Sequence, residues 1–237
     1  MIMLKHLINK DSLTIFTDAS IKAKPDGTYY GCPGFVAVDG NGIIDSGYIV
    51  YDNTTNNDSE IKAIRMGVMA ANKYKSNYKY IRLFSDSQLC IFGLRQRIYS
   101  WLNNINNGYI CGYDGNPIKN QEIFIEIAYF ITQNNLNIEF YHQRGHISLT
   151  NPTQLEKARN DFLKFNEFSP GTEIDMELVK TISYYNNMVD QTSRNTLNSV
   201  LSQIPSSYSM VYDDSYKFKY IDTFDIKGFY KNTHNIK

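Results

Sequence analysis

Leu13-Thr14-Ile15-Phe16-Thr17-Asp18 and Ile81-Arg82-Leu83-Phe84-Ser85-Asp86 are two runs of one design, mostly apolar residues leading to an aspartate. In the first, Leu13 and Ile15 share one face and Phe16 takes the other, which is the period of a strand. Each run predicts a strand with an acid at its carboxyl end, the end beyond which open α/β sheets place their sites. Working outward, residues 34–38 and 42–50 read as strands joined by the hairpin signal Asp39-Gly40-Asn41-Gly42. Residues 57–75 read as a helix with Ile61, Ile64, Val68 and Ala71 on one face. The stretch 87–103 is mostly helical with Gly93 as a weak point. Residues 104–119 are Asn- and Gly-rich and read as irregular, 120–133 as a helix, and 136–142 as a strand. Further on come a helix over 152–166, the turn Ser169-Pro170-Gly171, and a last helix over 178–201. The order β-β-β-α-β-α-α-β-α predicts a mixed sheet with helices on its faces.

Two more acids join the strand-end aspartates. Glu60 opens a helical run just after Thr54-Thr55-Asn56-Asn57, and Asp190 sits early in the late pattern Asn186-Asn187-Met188-Val189-Asp190-Gln191-Thr192-Ser193-Arg194. Carboxylates from neighbouring strand ends and flanking helices converge only if cations offset their repulsion. A set without Cys partners favours hard, oxygen-loving ions such as Mg²⁺ or Mn²⁺. That is the equipment of two-metal phosphodiester cleavage.

Composition narrows the field without choosing within it. The 237 residues are 42% hydrophobic, enough for a sizeable core in one domain. Lys plus Arg equals Asp plus Glu at 24 each, so no global basic field draws nucleic acid to the chain. Cys32, Cys90 and Cys111 are odd in number and widely spaced, which argues against a disulfide framework or a zinc site and suits a reducing compartment. Residues 1–8 carry Lys5 and His6 and do not read as a secretory signal. Nor does any stretch approach the about 20 apolar residues of a membrane span. The expectation is a cytoplasmic monomer with no membrane partner.

At these motifs the chain resembles type 1 ribonuclease H. The resemblance rests on Thr17-Asp18-Ala19-Ser20, Thr54-Thr55-Asn56-Asn57 with Glu60, Ser85-Asp86-Ser87-Gln88, Gly145-His146 and Asp190, in the family's order. It implies a ribonuclease H-like α/β fold, a mixed five-stranded sheet flanked by helices, covering 1–204. An insertion at about 147–185 precedes the last helix, and a C-terminal tail, 205–237, packs on the domain or is partly flexible. It further implies an endoribonuclease that cuts the RNA strand of RNA/DNA hybrids and leaves 5′-phosphate and 3′-hydroxyl ends. Asp18, Glu60, Asp86 and Asp190 would bind two Mg²⁺ ions, with Mn²⁺ able to substitute, and His146 would handle a proton near the leaving group. Ser20, Thr55, Asn56, Asn57 and Gln88 would contact the hybrid, Thr55 at a DNA-strand phosphate.

Several residues carry a competing reading. Asn57-Asp58-Ser59-Glu60 also fits a capping box, in which Glu60 reaches back to the cap backbone. Gln88 fits an ordinary exposed helix start. The family places its last acid soon after Gly-His, which favours Asp161; the string Asn186-x-x-x-Asp190-x-x-x-Arg194 matches the family's helix start better and puts Asp190 on the first turn of the terminal helix. Asp161 would then be solvated beside Arg159 or Lys157. The family's glycine after the first Asp is Ala19 here, and its glycine-rich turn is replaced by residues 22–31. Asn103-Asn104-Ile105-Asn106-Asn107-Gly108 stands where many relatives have a basic, hybrid-gripping segment, so phosphate affinity is expected to be weaker. Lys217, Lys219, Lys227 and Lys231 in the tail are candidates to compensate. The rival readings are a DNA-cutting transposase or integrase core, and a non-catalytic nucleic-acid-binding module on the same fold.

Overall fold

A computed structural model describes residues 2–4, 7–106 and 109–203. In chain order the elements are β1 (Ile2–Leu4), β2 (Ser12–Ala23), β3 (Tyr29–Asp39), β4 (Gly42–Tyr48), β5 (Tyr51–Thr54), α1 (Asn56–Tyr74) and β6 (Tyr80–Ser85). There follow α2 (Gln88–Phe92), a π-helical turn (Gly93–Arg97), α3 (Ile98–Leu102), β7 (Ile105–Asn106), β8 (Tyr109–Ile110), α4 (Gln121–Gln133), β9 (Ile138–His142), α5 (Pro152–Phe165), β10 (Thr172–Ile174) and α6 (Met176–Gln203). The central sheet runs β4-β3-β2-β6-β9, with β5 paired to the start of β3. The hairpins β2–β3 and β3–β4 are antiparallel, whereas β2, β6 and β9 are mutually parallel, so the sheet is mixed as expected.

Strand alternation splits the core in two. Leu13, Ile15, Leu83 and Phe140 face α1 and α4 and join one cluster with Ile61, Ile64 and Phe124. Gly67 lets α1 lie flush here: a Cβ on it would meet Thr17 Cγ2 at 2.8 Å and Leu83 Cδ1 at 3.0 Å. Phe16, Phe84 and Tyr141 point the other way. They are direct register partners across β2, β6 and β9, and their rings stack at 5.1 Å in each pair. Phe162 of α5 stacks on this ladder at 6.1 Å from Phe84, and Tyr185 of α6 at 5.3 Å from Phe16. Segment 147–185 thus covers one face of the sheet. Ile147, Leu155, Ala158, Phe162 and Ile174 are all buried in that second cluster.

Several expectations are corrected, and one competing reading falls away. Asp18 does not end its strand, because the β2–β3 ladder continues past it to Ala23↔Tyr29; only the parallel pairing with β6 stops, at Thr17↔Ser85. Residues 22–31 therefore form the tip of an extended hairpin. The last helix begins at Met176 rather than Leu178, since Asp175 Oδ1 accepts the Glu177 N–H at 3.0 Å and no breaker follows. Asp190 consequently lies in mid-helix and not on the first turn. The segment 104–119 is not wholly irregular, as β7 and β8 pair within it. Helix α1 is capped by Thr55, whose Oγ1 accepts the Asp58 N–H at 3.2 Å, so Glu60 is released from the capping-box role. Finally, Asp161 is not free in solvent beside Arg159 or Lys157: Arg144 Nη1 donates to its Oδ2 at 2.7 Å. The tail 205–237, with its lysines, lies outside the described residues.

Candidate active site

Three of the acids meet. Asp18 of β2, Glu60 of α1 and Asp86, which follows β6, each offer a carboxylate oxygen, and these oxygens lie within 4.8 Å of one another. The helix cap at Thr55 aims the second turn of α1 at the end of the β2–β6 pairing, which carries Glu60 into the group. Asp18 and Glu60 are buried. Asp18 Oδ1 accepts the Ala19 N–H at 2.7 Å, but Asp18 Oδ2 and Glu60 Oε2 are buried without a hydrogen-bond partner among the described residues. Burial, followed by mutual repulsion, pushes the Asp18 and Glu60 carboxyls well above the ordinary range. Asp86 is raised chiefly by burial, offset by the facing His146 and reinforced by Asp190. Buried, like-charged oxygens with unused lone pairs fit a hard divalent cation, which removes the repulsion and supplies the missing partner.

Asp190 is not part of that tight group. Arg194, one turn later on α6, donates to both its oxygens at 3.0 Å, and His146 Nδ1 stands 3.4 Å from Asp190 Oδ2. Asp190 is nonetheless near enough to raise Asp18, Glu60 and Asp86 electrostatically. Asp161 of α5, the competing candidate, is held by Arg144. His146 is 71% exposed and adopts φ 55°, a left-handed conformation uncommon outside glycine. Gly145 before it is pressed against Asp86. Arg194 stands one helical turn from Asp190 in the string already quoted from the sequence, whereas nothing local to Arg144 marks its contact with Asp161, 17 residues away.

The expected substrate-contacting residues lie around this group. Thr55, Asn56 and Asn57 are exposed at the start of α1, Gln88 is exposed at the start of α2, and Ser20 is buried on β2, two residues beyond Asp18. Asn57 also lines a cleft of about 760 Å³, together with Arg97, Trp101, Tyr113 and Lys119. Arg97 and Lys119 thus flank the uncharged string 103–108 and line the same cleft, which also carries Asp114.

The sequence profile of the RNase H family matches residues 10–161. That segment takes in Asp18, Glu60, Asp86 and His146 and stops at Asp161, short of Asp190. A curated ribonuclease HI from Pasteurella multocida (strain Pm70) is 30% identical over 152 residues, 62% of this chain and 88% of that protein. Among solved structures, the foamy viral protease-reverse transcriptase in complex with RNA/DNA hybrid matches 66% of this chain at 15% identity with a TM-score of 0.50. This chain covers only 20% of that one. The solution structure of the PFV RNase H domain matches 65% of this chain and 90% of its own at 19% identity, with a TM-score of 0.49. A profile match over more than half of the chain and a 30% identical relative covered over most of its length agree with the sheet order and the acid cluster: the chain belongs to the RNase H family, hydrolases of phosphodiester bonds.

Proposed function

We propose that this protein is an endoribonuclease that hydrolyses the RNA strand of RNA/DNA hybrids with two divalent cations, Mg²⁺ or Mn²⁺. The carrying observation is the convergence of three carboxylates, two of them buried with an oxygen, Asp18 Oδ2 and Glu60 Oε2, that has no hydrogen-bond partner among the described residues. When bound, the cations supply charge for activating water and for stabilising the departing 3′ oxygen. Asp18, Glu60 and Asp86 would hold them, with Asp190 as the fourth acid. His146, beside Asp190 and open to solvent, carries the proton to the leaving 3′ oxygen, so the ends are 5′-phosphate and 3′-hydroxyl. Thr55, Asn56, Asn57, Gln88 and Ser20 contact the hybrid around this centre, and the cleft with Arg97, Trp101 and Lys119 receives a backbone of the duplex. Recognition of the 2′-hydroxyl restricts cutting to RNA.

The test is incubation with end-labelled RNA/DNA hybrid and Mg²⁺, beside double-stranded DNA and double-stranded RNA. Cutting confined to the hybrid RNA strand, lost in chelator, supports the reading. Tight hybrid binding without cleavage would mark a non-catalytic binding module instead. Among the described residues no helix is long and apolar enough to cross a membrane.

A further inference from the structure

We infer that Asn187 is a positioning residue for His146: its side-chain amide pins the turn that sets the imidazole against Asp190. The inference rests on the proposed function, in which His146 carries a proton.

His146 needs such a device. Its ring is 71% exposed, and among the described residues its recorded partner is Asp190, at 3.4 Å. Little packing holds the ring, so its placement depends on the backbone beneath it. That backbone sits at φ 55°, which a residue with a Cβ leaves readily unless its neighbours hold it there. The preceding Gly145 adds freedom rather than restraint.

The restraint comes from α6. Asn187 Nδ2 donates to the carbonyl of Ile147, the residue after His146, at 2.7 Å. At the other end of the loop the Gln143 amide donates to Asn186 Oδ1, and both side chains are buried. Two consecutive asparagines thus grip the segment 143–147 on either side of Gly145-His146. Asn187 lies three residues before Asp190 and Asn186 four, the spacings that share one helix face. The face that presents the acid therefore also grips the histidine loop, and Asp190 and His146 keep their separation as one unit. The inserted segment adds a further tie, through Arg144 and Asp161 at 2.7 Å. Asn187 is the member that can be tested cleanly. It is half-buried and its bond to the Ile147 carbonyl is only partly buried, whereas Asn186 and Gln143 belong to the core.

Asn187→Leu keeps the number and branching of side-chain heavy atoms and removes the donor. It is compared with wild type, His146→Ala and the double variant by hybrid-cleavage kinetics and by hydrogen exchange. The single change is expected to lower kcat about tenfold with KM within about twofold, and to add less than about twofold in the His146→Ala background, because the two residues act as one unit. Exchange of amides 145–148 should accelerate while that of α6 stays unchanged. An equal loss in both backgrounds, no loss at all, or an unaltered loop exchange would each overturn the inference, as would a His146→Ala enzyme as active as wild type. A wild-type chain that cuts no hybrid defeats the functional reading separately, and the exchange measurement then decides the clamp by itself.

Discussion

Gly145 and Asp86 are in contact so close that any Cβ would displace the carboxylate: a Cβ on Gly145 would stand 2.0 Å from Asp86 Oδ2 and 3.3 Å from Asp86 Cβ. The loop that carries His146 therefore also forms one wall around a carboxylate of the acid cluster. Gly145→Ala should leave the melting temperature nearly unchanged, because the short Asp86 side chain can swing aside. The displaced carboxylate, however, no longer points at Asp18 and Glu60. Cleavage is expected to fall about 100-fold, since misplacements of this size cost that much. Steady-state kinetics against Mg²⁺ concentration checks it, and wild-type turnover would show that Asp86 tolerates the shift.

Asp86→Asn should abolish cleavage and stabilise the metal-free fold. Asp18, Glu60 and Asp86 all have carboxyls raised in the folded chain, so between the ordinary carboxylate range and neutrality the folded state holds more protons than the unfolded one. Their contribution to stability is present at low pH and is lost as pH rises through the raised values. Without divalent cations the Asn variant should melt higher than wild type at pH 7, and the gap should narrow towards pH 4. Added Mg²⁺ or Mn²⁺ should reverse the order by stabilising only the intact acid set. Thermal melts at three pH values, with and without metal, decide this. A gap that widened on acidification would remove the repulsion argument.

Asp190 and Asp161 separate by substitution. Asp190→Asn should slow cleavage by orders of magnitude, with partial rescue by Mn²⁺, because it alters the acid beside His146. Asp161→Asn loses a half-exposed pair with Arg144, a change of about 0–1 kcal/mol in stability. Its turnover should stay within about threefold of wild type, since a surface ion pair contributes little. The reversed pattern in single-turnover assays would return the fourth-acid role to Asp161, where the family profile match ends.

Phe162→Ala should destabilise the whole chain by about 3–5 kcal/mol, the usual loss for a buried aromatic. Phe162 stacks on Phe84 and Tyr141 within the core, so α5 is part of the sheet's cover. Urea unfolding should show one lowered midpoint. A separate early transition with the rest unaffected would identify α5 as an independent appendage.

The sequence by itself determined the sheet and named four candidate acids, of which Asp18, Glu60 and Asp86 meet and Asp190 stands apart. Strand alternation around Phe16 and Phe84, the hairpin at Asp39–Gly42 and the Thr-Thr-Asn-Asn string before Glu60 are local signals, and local signals survive in one dimension. Tertiary structure decided everything that depended on residues distant in sequence. Whether Glu60 caps its helix or faces Asp18 turned on Thr55 taking the cap. Whether Asp161 or Asp190 stands by His146 turned on Arg144 occupying the first and on α6 running unbroken through the second. Segment 147–185 reads as an interruption, yet it buries Leu155, Phe162 and Ile174 against the aromatic ladder, because a face of a sheet must be covered by whatever chain returns to it. The grip of Asn186 and Asn187 on the loop around His146 joins residues 40 or more positions apart, a pairing with no signature until the chain is folded.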